Sequence, residues 1–137
     1  MLFRATTHRL SLLPAMKQAT FDPAGGKIEV GVTCAPNRNG SYTIMLWEAG
    51  RNEIVKEYPG NFINTDDDSY QLAKPNARHD GRLVEALVVV AIPSGVGPSE
   101  VTLTVSQDEH ELGKESAIVP PGSPGQMVDL YLMLRSA

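Results

Sequence analysis

The stretch that most constrains this chain is Arg-Leu-Val-Glu-Ala-Leu-Val-Val-Val-Ala-Ile, residues 82–92, bracketed by Asp80-Gly81 and Pro93. It is the longest apolar run, and it is rich in β-branched residues. Turn residues at both ends fit a buried strand better than a helix. One face of such a strand carries Val84, Ala86, Val88, Val90 and Ile92; the other carries Leu83, Glu85, Leu87, Val89 and Ala91. Both faces are apolar, so both need cover. The chain is therefore expected to build a β-rich domain around this strand, with part of the cover supplied by another subunit.

Strand signals recur along the rest of the chain. Residues 27–34 alternate, with Ile28, Val30, Val32 and Cys34 on one face. Asn39-Gly40 is a dipeptide that accepts positive φ, so a hairpin is expected there, returning through Ser41–Glu48. In that return strand Tyr42, Ile44 and Leu46 oppose Thr43, Met45 and Trp47. After the Ala49–Asn52 turn, Glu53–Tyr58 carries charge on both faces and reads as an edge strand ended by Pro59-Gly60, completing a three-strand meander. Within the irregular stretch 61–81 only Ser69–Leu72 is strand-like. Glu100–Ser106 alternates strictly with Val101, Leu103 and Val105 inward, and His110–Val119 is placed to return beside it. Pro120–Gly125 is a stiff connector. The last strand, Gln126–Arg135, turns Val128, Leu130, Leu132 and Leu134 inward and Met127, Asp129, Tyr131 and Met133 outward. No helix with a 3.6-residue period is evident. Eight or nine short strands fit a two-layer antiparallel β-sandwich, jelly-roll or immunoglobulin-like, with an N-terminal arm.

A length of 137 residues, with 42% hydrophobic and 20% charged residues, fits one folded domain. Residues 1–20 form an arm or the first strands, and 21–137 the sandwich. The arm contains Arg4, Arg9 and Lys17 and no acid; the remainder holds all 16 acids against the other nine Lys and Arg. That asymmetry suits an arm lying on an acidic surface of its own or of a neighbour. A net charge of −4 argues against a nucleic-acid partner. No apolar run reaches the roughly 20 residues a bilayer span needs, and Arg4, His8 and Arg9 break up any secretory signal. Cys34 is the single cysteine, which favours a reducing setting and a core role. A cytoplasmic or particle-associated protein is the expectation.

Signals for catalysis are thin. There is no phosphate-binding glycine loop, no nucleophile elbow, and no His pair at metal spacing; His8, His79 and His110 read as surface or turn residues. No cofactor is expected. Asp66, Asp67 and Asp68, with Asn64 and Ser69, form an acidic loop 64–69 with oxygen ligands of the kind calcium takes, although the EF-hand spacing is missing. Glu85, the single charge within the central strand, needs a partner or a proton; Arg82 and Arg78 are the nearby candidates. Trp47 with Tyr42 or Tyr131 offers a small platform for a carbohydrate.

The positive signal is apolar residues on second faces, where a one-sided strand is polar: Met45, Trp47, Leu87, Val89, Tyr131 and Met133. Methionine and aromatics are also enriched in protein interfaces. The sequence thus points to a non-catalytic assembly or binding protein, a homo-oligomer or a partner of another protein, within a larger particle or complex. A calcium- or carbohydrate-binding module using the acidic loop is the alternative.

Overall fold

The computed structural model describes residues 16–62 and 69–137. Among the described residues nine strands form two sheets. They are β1 (Gln18–Phe21), β2 (Ile28–Ala35), β3 (Asn39–Trp47), β4 (Ile54–Asn61), β5 (Ser69–Gln71), β6 (Leu83–Ile92), β7 (Ser99–Gln107), β8 (His110–Val119) and β9 (Ser123–Ser136). One sheet runs β1-β9-β6-β3-β4 and the other β5-β2-β7-β8. Every pairing is antiparallel except β1 with β9, which is parallel. A 3₁₀ turn, Asn76–His79, lies between β5 and β6. No helix among the described residues is long and apolar enough to cross a membrane.

The expected sandwich is present, and its core is the set of inward faces that the alternation marks. Val84, Ala86, Val88 and Val90 of β6 are fully buried; so are Val101, Leu103 and Val105 of β7 and Leu132 and Leu134 of β9. Ile28, Val30, Val32 and Cys34 face them from β2. The residues of β6 make it the middle strand of its sheet, because a strand apolar on both sides is least costly where neighbours flank it. β4 lies at the sheet edge, as its charges suggest. Its pairing with β3 runs past Pro59 to Asn61, however, since a proline on an edge strand can turn its missing N–H away from the ladder.

Two expectations about connectivity fail. β2 and β3 do not form a hairpin: they belong to different sheets, and the chain crosses the sandwich between them. Asn39 and Gly40 lie inside β3, paired with Ala91 and Val90. Gly40 is there for close approach, since a Cβ would stand 2.6 Å from the Val89 carbonyl oxygen. The meander therefore reduces to the β3–β4 hairpin. The connector before the last strand is also shorter than its prolines suggest, for β9 starts at Ser123, opposite Ile92.

The boundary drawn at residue 20 passes through β1. Residues 18–20 belong to the sandwich by their pairing with Met133, Leu134 and Arg135. Residues 1–15 of the arm lie outside the described residues.

The β1–β2 turn is fastened by Gln107. Its Oε1 accepts from the Asp22 N–H at 2.8 Å, and its Nε2 donates to the carbonyls of Asp22 and Gly26, each at 2.8 Å. Near the free end of the β3–β4 hairpin, Tyr58 stacks on Tyr70 and Tyr42 packs on Phe62, with ring centroids 4.9 and 5.3 Å apart. The Tyr42 and Tyr70 hydroxyls are 2.7 Å apart, joining the two sheets.

Candidate functional site

Alternation on β3, β6 and β9 places a second set of side chains on the outer face of the five-stranded sheet. Register lines them up across the three strands. Trp47, Leu83 and Met133 form one row, Met45, Glu85 and Tyr131 the next, then Thr43, Leu87 and Asp129, and finally Ser41, Val89 and Met127. All six residues singled out as interface candidates thus fall on one continuous surface. Met45, Trp47, Leu87, Tyr131 and Met133 are half-buried, Val89 is 37% exposed and Met127 62%. Three strands at about 4.8 Å spacing and four rows at about 6.8 Å give the face an extent of about 400 Å². Tyr42 points the other way, into the core, so the Trp47–Tyr42 platform does not form; Trp47 and Tyr131 do share the outer face.

A polar cluster sits inside this apolar surface. The Trp47 indole N–H donates to Glu85 Oε1 at 2.9 Å, and the Tyr131 hydroxyl donates to Asp129 Oδ2 at 2.6 Å. Burial against the sheet, followed by the adjoining Asp129 carboxylate, pushes Glu85 up to about 7, against the opposing pull of the Trp47 N–H. Burial and the same Asp129 carboxylate raise the Tyr131 phenol. Glu85 therefore meets its need for a partner within its own face. Arg82 and Arg78 do not serve it, because Arg82 is engaged elsewhere and lies on the alternate side of β6.

Arg82, 6% exposed, binds Glu48 through two parallel bonds, Nε to Oε1 at 3.0 Å and Nη2 to Oε2 at 2.9 Å. Its Nη1 stands 3.1 Å from His79 Nδ1, and His79 Nε2 stands 2.7 Å from the Ala73 carbonyl. The acceptor at Ala73 puts the ring proton on Nε2 and leaves Nδ1 to accept from Arg82. Arg82, then the Ala49 N–H, hold the Glu48 carboxyl down at about 2. Desolvation lowers His79. His79 is thus a turn residue, as one of its two expected readings has it, but a buried one and not a surface one. Sequence reasoning missed this cluster because its members are 34 and 3 residues apart and meet only when the 3₁₀ turn folds over the end of the β3–β4 hairpin. The arrangement ties the loop before β6 to the end of the five-stranded sheet.

Asp66, Asp67 and Asp68 lie outside the described residues. Among the described residues no group of three or more His, Cys, Asp or Glu is placed to hold a metal ion. His110 is exposed and bonds the Asp108 carbonyl at 2.9 Å, and Cys34 is a buried free thiol. Comparisons with protein-family models, curated proteins and solved structures return no match for this chain.

Proposed function

We propose that this protein is a non-catalytic assembly protein that self-associates through the outer face of its five-stranded sheet, as a structural component of a larger particle or complex. One observation carries the reading: three adjacent strands present Met45, Trp47, Leu83, Leu87, Val89 and Met133 side by side on a surface outside the core. A face of this extent is comparable to the largest patch on an ordinary monomer, and such patches are often functional. Methionine and tryptophan, which it carries, are enriched in protein interfaces.

Size-exclusion chromatography with light scattering tests the proposal. The chain has a mass of 14.8 kDa, and a species of higher mass is expected at micromolar concentration. Leu87→Glu is expected to return it to the monomer with an unchanged β-sheet circular-dichroism spectrum. A wild-type protein that stays monomeric at high micromolar concentration overturns the reading.

A further inference from the structure

We propose that the outer face of the five-stranded sheet is occupied by the N-terminal segment, residues 1–15, of a second copy of this chain, its arginines set against Glu85 and Asp129. The inference rests on the assembly reading and names the partner.

Charge is the first argument. Glu85 and Asp129 lie among apolar side chains, and their described polar contacts on the face are each other, the Trp47 N–H and the Tyr131 hydroxyl. Among the described residues neither makes an ion pair. The complementary ligand is an apolar segment with basic side chains and no acid. Residues 1–15, Met-Leu-Phe-Arg-Ala-Thr-Thr-His-Arg-Leu-Ser-Leu-Leu-Pro-Ala, have that composition: Leu2, Phe3, Leu10, Leu12 and Leu13 around Arg4 and Arg9.

Position is the second argument. β1 begins at Gln18 opposite Met133, and the Met133 N–H donates to the Lys17 carbonyl at 3.1 Å. Met133 is itself a member of the outer face, so each copy's segment joins the fold at the rim of this surface. Fifteen residues span at most about 50 Å, enough to cross the roughly 10 Å between β9 and β3 and to reach the same face of a neighbouring copy.

The third argument is size and symmetry. A stable pair buries about 800 Å² per partner, twice the estimated extent of this face. A twofold contact centred on the face would also press one Glu85–Asp129 pair toward another. An exchanged segment adds the missing area and replaces acid–acid contact with acid–arginine contact.

The test uses the full chain, with light scattering for mass and iodide quenching of Trp47, the only tryptophan, for cover of the face. Arg4→Glu with Arg9→Glu is expected to lose association and expose Trp47, whereas Arg4→Lys with Arg9→Lys retains both properties. A synthetic peptide of residues 1–15 added in excess to the wild-type oligomer is expected to dissociate it while keeping Trp47 shielded. If the double Glu variant stays associated and shielded while Leu87→Glu dissociates, the segment is not the occupant and the assembly reading alone survives. If wild-type Trp47 is shielded and sensitive to the arginines at dilutions where the chain is monomeric, the segment covers its own molecule and the exchange is overturned.

Discussion

Trp47 and Glu85 are joined by a 2.9 Å hydrogen bond although they are not register partners: Trp47 stands opposite Leu83, and Glu85 opposite Met45. The bond therefore runs diagonally between β3 and β6, a reach that aromatic and long side chains span. It turns the carboxylate toward the indole and leaves Asp129 on its other side. The indole is thereby coupled to the protonation of a carboxyl in the middle of an apolar sheet face.

Trp47 fluorescence should consequently titrate. With Glu85 raised to about 7, the emission of the dilute monomer is expected to change with a midpoint near pH 7, far above the ordinary carboxyl value of 4.5. The groups facing Glu85 are Asp129 and Tyr131 from β9 and Met45 and Trp47 from β3, with Glu57 beyond Met45 on β4. No described cation lies among them. Glu85→Gln should abolish the transition. Survival of the transition in that variant would assign it to another group.

Folding stability should show opposing slopes. The folded chain holds a proton on Glu85 between about 4.5 and about 7, where an unfolded carboxyl has lost it, so this group lowers stability as pH rises through that window. His79 acts in the opposite sense. Its folded value lies below 6.5, so the unfolded chain takes up the proton first and stability falls as pH drops below 6.5. Glu48, held at about 2, adds stability that is complete above 4.5 and lost on further acidification. Chemical denaturation of the wild type and of Glu85→Gln across pH 5–7 isolates the first effect: the variant should gain on the wild type as pH rises. Parallel curves would contradict the assignment.

The sandwich was legible because its strands alternate. Ile28–Cys34, Glu100–Ser106 and Val128–Leu134 each bury the face that a period of two assigns them. Which sheet a strand joins was not legible, because alternation is the same in either layer. Asn39-Gly40 reads locally as a turn, yet the glycine is required by the Val89 carbonyl, an atom 49 residues away that no local pattern reveals. The six outer-face residues could be named one strand at a time, but only the β9-β6-β3 order makes them a single surface. Glu85 was recognisable as an oddity, whereas its true neighbours, Trp47 and Asp129, depend on a register that sequence does not carry.

The β7–β8 hairpin turn offers a stabilising change. Asp108 and Glu109 both take left-handed backbone angles, φ 52° and 66°. Such angles cost an L-residue roughly 1–2 kcal/mol relative to its ordinary region, part of which glycine loses again to chain entropy. Asp108 gains in return, since its Oδ2 accepts from the Gly26 N–H at 3.1 Å. Glu109 is exposed. Glu109→Gly should therefore raise stability by roughly 0.5–1 kcal/mol in thermal or urea unfolding. Asp108→Gly should gain less, because it gives up the bond to the β1–β2 turn. An equal gain from both would show that the Asp108 bond contributes nothing.

Leu87 and Leu132 provide the sharpest separation of core from surface. They lie on adjacent strands of one sheet, but Leu132 is fully buried between the layers and Leu87 stands half-buried on the outer face. Leu132→Ala removes methyl groups from a packed interior and leaves a cavity, so it should cost about 2–5 kcal/mol of unfolding free energy. Leu87→Ala loses only partial burial and opens no enclosed cavity. It should cost less than about 1 kcal/mol in the monomer, the ordinary range for a change without such a mechanism. Association should respond in the reverse order: at concentrations where the chain stays folded, Leu87→Ala weakens it and Leu132→Ala leaves it intact. Urea unfolding of the monomer and light scattering across a dilution series read the two effects separately. Were Leu87→Ala to destabilise the monomer as much as Leu132→Ala, the outer face would be part of the core rather than a surface for association.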